Sequence, residues 1–344
     1  MRLFLVIVGV GVLLAGVGVI VWTALDLPPV QYVVAHGFPP AGGPTGREVE
    51  IEGVRFIEIG AGYFRMGSWF GLDRGDLLGW LCARFKLPWG KQPGPQGREA
   101  PVHWVRIARP YWLAATEVTN SQYARFDPEH ERSECSPGDH HPVADVRWDD
   151  ARRYCEWLSG RGPLAVRLPS ESEWEYACRA GSTTEYCFGD DEAGLGECGW
   201  FGRPWGDSAR EVGTRRANRW GLFDLHGNVW EWCGDRWHDD YEGAPGDGTA
   251  WTEGAASFRV DRGGGWDNPA VYCRSAGRGR RPPDARGISL GFRPAASPLS
   301  SRETGPSAGP ANAEGGKIDP GSFFPPSDPI SRSSGLWPPR GPRP

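Results

Sequence analysis

Residues 221–232 read GLFDLHGNVWEW, and three further stretches follow in order: RGGGW at 262–266, CRSAGR at 273–278 and GFRP at 291–294. Tryptophan and glycine packed in this order are not an accident of composition. The chain carries 50 glycines and 18 tryptophans in 344 residues, a mix that points to a loop-rich fold. In such a fold large flat side chains fill the core where regular elements are sparse. From residue 186 onward the sequence therefore predicts short strands joined by long Gly-rich loops. Trp148, Trp174, Trp230 and Trp232 lie among other core-type residues, and the reading for each is packing rather than ligand stacking.

Upstream, the periodicity is more regular. Residues 54–59 (VRFIEI), 63–66, 102–107 and 111–118 alternate or cluster apolar side chains as short strands. Thr119-Asn120-Ser121-Gln122 is a capping-box pattern that opens a short helix ended by Asp127-Pro128. Ala151, Tyr154, Cys155 and Leu158 recur at helical spacing, with Asp149 as the expected cap and Gly160 past the last turn. Ser170-Glu171-Ser172-Glu173 is a second capping box, opening a helix that buries Trp174, Ala177 and Cys178 and closes at Gly181. Residues 68–98 read as an insertion containing a short amphipathic helix at 77–85.

Residues 3–25 carry no charge and exceed the roughly 20 apolar residues that span a bilayer core. A cleaved signal peptide has a shorter apolar region and a small-residue exit. Here the exit is Leu25-Asp26-Leu27-Pro28, so an uncleaved signal anchor is expected, with Arg2 held inside and the bulk of the chain exported. Four regions follow: an anchor at 1–25, a Pro/Gly-rich tether at 26–51, a folded domain at 52–296 and a disordered Pro/Ser/Gly-rich tail at 297–344. A formal net charge of -5 excludes a general nucleic-acid binder, which needs a basic field. The arginines at 274, 278, 280, 281 and 286 read as solvated loops and internal ion pairs. None of the eight cysteines forms Cys-x-x-Cys, which excludes a thioredoxin-type dithiol or zinc ribbon. No Gly-x-Ser-x-Gly elbow, P-loop or His-Glu-x-x-His is present.

Seven pieces taken together carry a resemblance: GYFRMGS (62–68), PYWLAATEVTNSQYARF (110–126), HPVADVRWDDARRYCEWLS (141–159), VRLPSESEWEYACRAG (166–181), GLFDLHGNVWEWC (221–233), RGGGWDN (262–268) and GISLGFRP (287–294). Their order and spacing resemble the formylglycine-generating enzyme family, also called sulfatase-modifying factors, over residues 56–295. The resemblance implies an α+β, C-type-lectin-like fold of low regular secondary structure, often stabilised by calcium and here preceded by the one transmembrane helix. It also implies a protein or peptide partner.

In the oxidising members of that family two thiolates near a Gly-Gly-Ser-aromatic segment bind Cu(I), and dioxygen activation converts a substrate cysteine to formylglycine. Soft thiolates at close range are what Cu(I) selects. Here the segment 262–293 offers Cys273 alone, and Gly265 stands where the serine is usual. The copper pair does not carry over. The resemblance leaves Cys273 two roles: a catalytic thiol, or one half of a disulfide with Cys178, which would contribute roughly 2–4 kcal/mol. Cys187 and Cys198 flank an acidic Gly-rich loop and are a further candidate pair. Asn228 and Glu231 are the candidate calcium ligands; the alternative is that Asn228 caps a turn and Glu231 pairs with an arginine. Two functions are open. One is an exported, membrane-anchored member of the family with a role in protein maturation. The other is a non-catalytic module that recognises a protein or a glycan.

Overall fold

The computed structural model describes residues 42–68 and 95–299, except 205, 255 and 256. The expected anchor at 1–25, the helix at 77–85, the tether up to residue 41 and residues 300–344 of the expected 297–344 tail lie outside the described residues. So does Cys82. Residues 297 and 298, by contrast, are not tail but the end of a strand paired with residues 165 and 164. Among the described residues no helix is long and apolar enough to cross a membrane.

The chain is built on a five-stranded sheet in which every neighbouring pair is antiparallel. Its order is β1 (Pro44–Ile51), β2 (Val54–Ile59), β5 (Tyr111–Ala114), β11 (Ala295–Pro298) and β6 (Leu164–Arg167). Both faces are covered. Ile57, Ile59, Tyr111, Leu113 and Ala295 enter one core, while Val54, Phe56, Trp112, Ala114 and Ala296 enter the other. A strand buried on both faces needs apolar side chains in continuous runs rather than in alternation, and Tyr-Trp-Leu-Ala at β5 is such a run. The second core is closed by helix α2 (Trp148–Ser159), whose Ala151, Tyr154, Cys155 and Leu158 are all buried as their spacing predicts.

The first core is closed by helix α3 (Glu171–Arg179), all nine of whose residues are buried. It packs against β3 (Gly62–Met66), which pairs with β4 (His103–Ile107), and against a four-stranded sheet. That sheet runs β10 (Leu290–Gly291), β7 (Trp230–Arg236), β8 (Arg259–Arg262) and β9 (Arg278–Arg281), with β10 parallel to β7 and the other pairs antiparallel. The four motif stretches of the C-terminal half thus end on one small sheet that faces α3.

Several expectations need correction. Residues 44–51 are not tether: they form β1, an edge strand. Edge strands tolerate proline, and the irregularity between Pro44 and Glu48 absorbs the Pro-Thr-Gly start. Strand β5 ends at Ala114 rather than at Val118, whose N–H donates to the Phe292 carbonyl. Helix α2 is capped at Arg147 rather than Asp149; the Asp150 carboxylate accepts from Arg147 N–H at 3.2 Å. Both capping boxes, at Thr119 (opening α1, Asn120–Tyr123) and at Ser170, form as the sequence predicts. Helix α3 ends at Ala180 in the left-handed conformation, with Gly181 following it at positive φ.

Candidate functional site

The motif arginines explain why the motif stretches occur together. Glu171 and Glu175 lie one helical turn apart on α3, and both are buried. Arg262, which opens RGGGW, donates to Glu175 and to the carbonyls of Ser275, Ala276 and Gly277. Arg278, which closes CRSAGR, grips Glu171 with Nε at 2.6 Å and Nη2 at 3.0 Å. Burial pushes the Glu175 carboxyl up, but Arg179 and Arg262 outweigh it and hold the group below its ordinary value. Arg274 pairs with Glu99 at 2.6 and 2.8 Å and with Glu185 at 3.0 Å. Arg280, Arg281 and Arg286 reach Asp239, Asp261 and Asp150 from more exposed positions. The cluster is therefore internal ion pairing plus solvated rim, as the sequence predicts.

Glu231 and Asn228 sit at the centre of this frame. Both Glu231 oxygens are engaged: Arg293 Nη2 donates to Oε1 at 2.7 Å, and Arg293 Nε at 2.7 Å and Trp174 Nε1 at 2.6 Å donate to Oε2. Asn228 Oδ1 accepts from Arg210 N–H at 2.9 Å, and its amide donates to Glu117 Oε1 at 3.1 Å. Glu231 pairs with an arginine and Asn228 ties two loops, so these two residues do not fit a calcium ion. Among the described residues no group of three or more His, Cys, Asp or Glu side chains is arranged to hold a metal. The acidic loop 189–192 is put to structural use: Asp191 accepts from Ala193 N–H and Asp190 from Glu185 N–H.

Beside Asn228 lies a pair that sequence reading missed. Glu117 and Asp224 are each 1% exposed. Burial pushes both carboxyls up, and the Asp224 charge pushes Glu117 further; Asp224 is raised to about 6. Asp224 Oδ2 accepts from Gly213 N–H at 2.6 Å, while Asp224 Oδ1 and Glu117 Oε2 have no partner outside the pair. Two adjacent buried carboxyls share a proton rather than both ionise. Both residues stand in motif stretches, 110–126 and 221–233, but nothing within either stretch announces the pair.

The thiols form a second missed cluster, organised by His226. The His226 Nδ1–H donates to the Cys273 carbonyl at 2.8 Å, which leaves Nε2 to accept from Cys187 N–H at 3.1 Å. Burial lowers His226 to about 4, so the ring is neutral and its tautomer is set by these two bonds. Cys178 Sγ lies 3.7 Å from the same ring. The backbone crossing beneath is close: Gly227 adopts φ +128°, and a Cβ there would stand 2.2 Å from the Trp200 carbonyl oxygen. Only glycine lets the HGN turn seat His226 and Asn228 this deep.

Cys273, the candidate catalytic thiol, is 0% exposed, and burial pushes its thiol up. Gly264 covers it, since a Cβ at that position would meet Cys273 Sγ at 2.6 Å. Cys178, its expected disulfide partner, is equally buried, and burial raises its thiol to about 12. The two are close enough for the charge of one to raise the other, yet both are free thiols here, as are the other five cysteines among the described residues. The bridge that the resemblance implies is therefore not formed in this structure. Both thiols are sealed from solvent, and Cu(I), which takes thiolates, would have to displace a proton from each.

Comparison with known proteins agrees with the geometry. The domain described as "Sulfatase-modifying factor enzyme 1-like domain" matches residues 47–298. The formylglycine-generating enzyme of Streptomyces coelicolor is 29% identical over 315 residues, spanning 73% of this chain and 91% of that protein. The "Inactive C-alpha-formylglycine-generating enzyme 2" of Bos taurus is 36% identical over 167 residues, spanning 44% of this chain and 49% of that protein. Among solved structures, PvdO from Pseudomonas aeruginosa superposes with a TM-score of 0.60 at 29% identity, covering 74% of this chain and 99% of that one. The α+β fold of low regularity, the interlocked motif arginines and a match over most of the chain lead to one conclusion: the chain belongs to the sulfatase-modifying factor (formylglycine-generating enzyme) family.

Proposed function

We propose that this chain is a membrane-tethered, exported sulfatase-modifying-factor domain that recognises a protein or peptide partner without copper-dependent oxidation of cysteine. One observation carries the reading: the only thiol between Arg262 and Arg293, Cys273, is wholly buried and held protonated. The formylglycine-generating enzyme relatives act on protein, which supports a polypeptide partner here. The bovine relative named as inactive supports the view that the family's frame persists without the chemistry. The uncharged run at 3–25 behind Arg2 supports the tether and the export.

A second reading, oxidation with a rearranged site, is favoured by the nearness of Cys178 to Cys273. Competition titration of Cu(I) against a chelator separates the two. The binding-module reading predicts that Cys273→Ser leaves the Cu(I) affinity of the full chain unchanged. A loss of one stoichiometric copper ion in that variant supports the oxidase instead. Because the variant removes only Cys273, copper held by any other thiol cancels between the two proteins.

A further inference from the structure

Cys187 and Cys198 are eleven positions apart and meet in the fold. The segment between them doubles back tightly. Tyr186 and Gly189 exchange two backbone hydrogen bonds, Asp191 caps a short 3-10 helix at Glu192–Glu197, and Cys198 N–H donates to Leu195 O at the end of that helix. The Cys187 and Cys198 side chains are near enough for each to shift the other's thiol. On the solvent side, Arg216 Nη2 lies 3.7 Å from Cys198 Sγ. Arg216 is tied to Glu197 twice: its backbone N–H donates to Glu197 O at 2.9 Å, and its guanidinium pairs with the Glu197 carboxylate at 3.0 Å. On the inner side, Cys187 N–H is held by His226 Nε2. Neither the family's copper chemistry nor the expected Cys178–Cys273 bridge uses these two residues.

We propose that Cys187 and Cys198 are an oxidisable dithiol, in which a hydroperoxide oxidises Cys198 and Cys187 then closes a disulfide that clasps the loop between them. The chemistry balances in two steps. Cys198 as thiolate attacks the terminal oxygen of the hydroperoxide; the S–O bond forms, the O–O bond breaks, and the departing alkoxide takes a proton from water. Cys187 then attacks the Cys198 sulfenic acid, an S–S bond forms and the hydroxyl leaves as water with the Cys187 proton. Sulfur loses two electrons and the peroxide gains them. The assignment of roles follows from position. Cys198 faces the arginine, which favours its thiolate, and Cys187 stands against it as the resolving thiol. The Cys187 contact first, and Arg216 after it, lower Cys198 to about 6, while Cys187 is raised. Cys198 is 4% exposed, which suits an oxidant as small as a hydroperoxide.

The test is oxidation of the full chain with equimolar hydrogen peroxide near neutral pH, followed by differential alkylation and peptide mapping. A crosslink between the peptides holding Cys187 and Cys198 is expected, with Cys135, a partly exposed thiol raised by burial, still free as an internal reference. In Cys187→Ser, dimedone is expected to trap the sulfenic acid on Cys198. In Arg216→Ala, whose mutated side chain is exposed, Cys198 oxidation should slow by about three- to tenfold. Oxidation that reaches Cys135 or the Cys178–Cys273 pair first would overturn the proposal. So would an unchanged Cys198 rate in Arg216→Ala, which needs no change at either cysteine.

Discussion

Arg293→Met is expected to cost about 3–5 kcal/mol of folding stability, enough to unfold a domain whose total is typically about 5–15 kcal/mol. Arg293 and Glu231 are both 0% exposed in their side chains, and the guanidinium meets the carboxylate with two parallel bonds. The remaining donors reach the carbonyls of Ala114, Ala115 and Phe223. One side chain therefore joins β5, the loop before His226 and β7. Methionine fills much of the volume but leaves Glu231 charged and buried with Trp174 as its remaining donor. Removing one member of a buried pair is costly because the other charge stays behind uncompensated. Arg293 also offsets the charge of Glu117 and Asp224, so the loss spreads beyond one pair. Arg293→Lys keeps the charge without the fork and should fall between the two. Urea unfolding followed by tryptophan fluorescence measures both variants. A loss below about 1 kcal/mol for Arg293→Met, the value of a surface pair, would show that the network does not carry the fold.

Asp224→Asn is expected to stabilise the chain at pH 8 by about 1–3 kcal/mol and to change little at pH 4. The folded carboxyl titrates near 6, above its ordinary 3.8, because burial disfavours the charge. A group raised on folding contributes fully below its unfolded value, and that contribution is lost as pH rises through the folded one. Above pH 6 wild-type folding thus bears the cost of an ionised, buried Asp224 beside Glu117. Asparagine has no such cost, keeps an oxygen for Gly213 N–H and carries an amide on the side of Glu117. His226, lowered to about 4, works in the opposite sense: its contribution is present above pH 6.5 and lost as pH falls through 4. It is common to both proteins and cancels in their difference. Unfolding free energies at the two pH values test the sign, and an Asp224→Asn variant less stable than wild type at pH 8 would contradict it.

The sequence made the frame legible where local rules governed it. The two capping boxes, the α2 periodicity and the apolar runs of β2 and β5 are short-range signals, and the structure follows them. Strand β1 was illegible because Pro44 and Gly46 read as linker, whereas its partner β2 fixes it as an edge. The internal arginines could be foreseen as a class, but not that Arg262 and Arg278 would choose α3 glutamates about ninety and a hundred residues away. The His226 hub depends on a close backbone crossing at Gly227, and the Glu117–Asp224 pair brings together side chains far apart in sequence. No periodicity encodes such a meeting. Cys187 and Cys198 could be seen as a candidate pair, whereas the arginine that polarises one of them could not.

Turnover tests most directly whether this family frame operates without copper-dependent oxidation of a substrate cysteine. The full chain would be incubated with Cu(I), dioxygen, a thiol reductant and a cysteine-containing peptide, with the peptide mass followed over time. The burial of Cys273 predicts an unchanged peptide, identical to the control without protein. Conversion of the peptide cysteine to an aldehyde, abolished by Cys273→Ser, would contradict the claim and restore the oxidase.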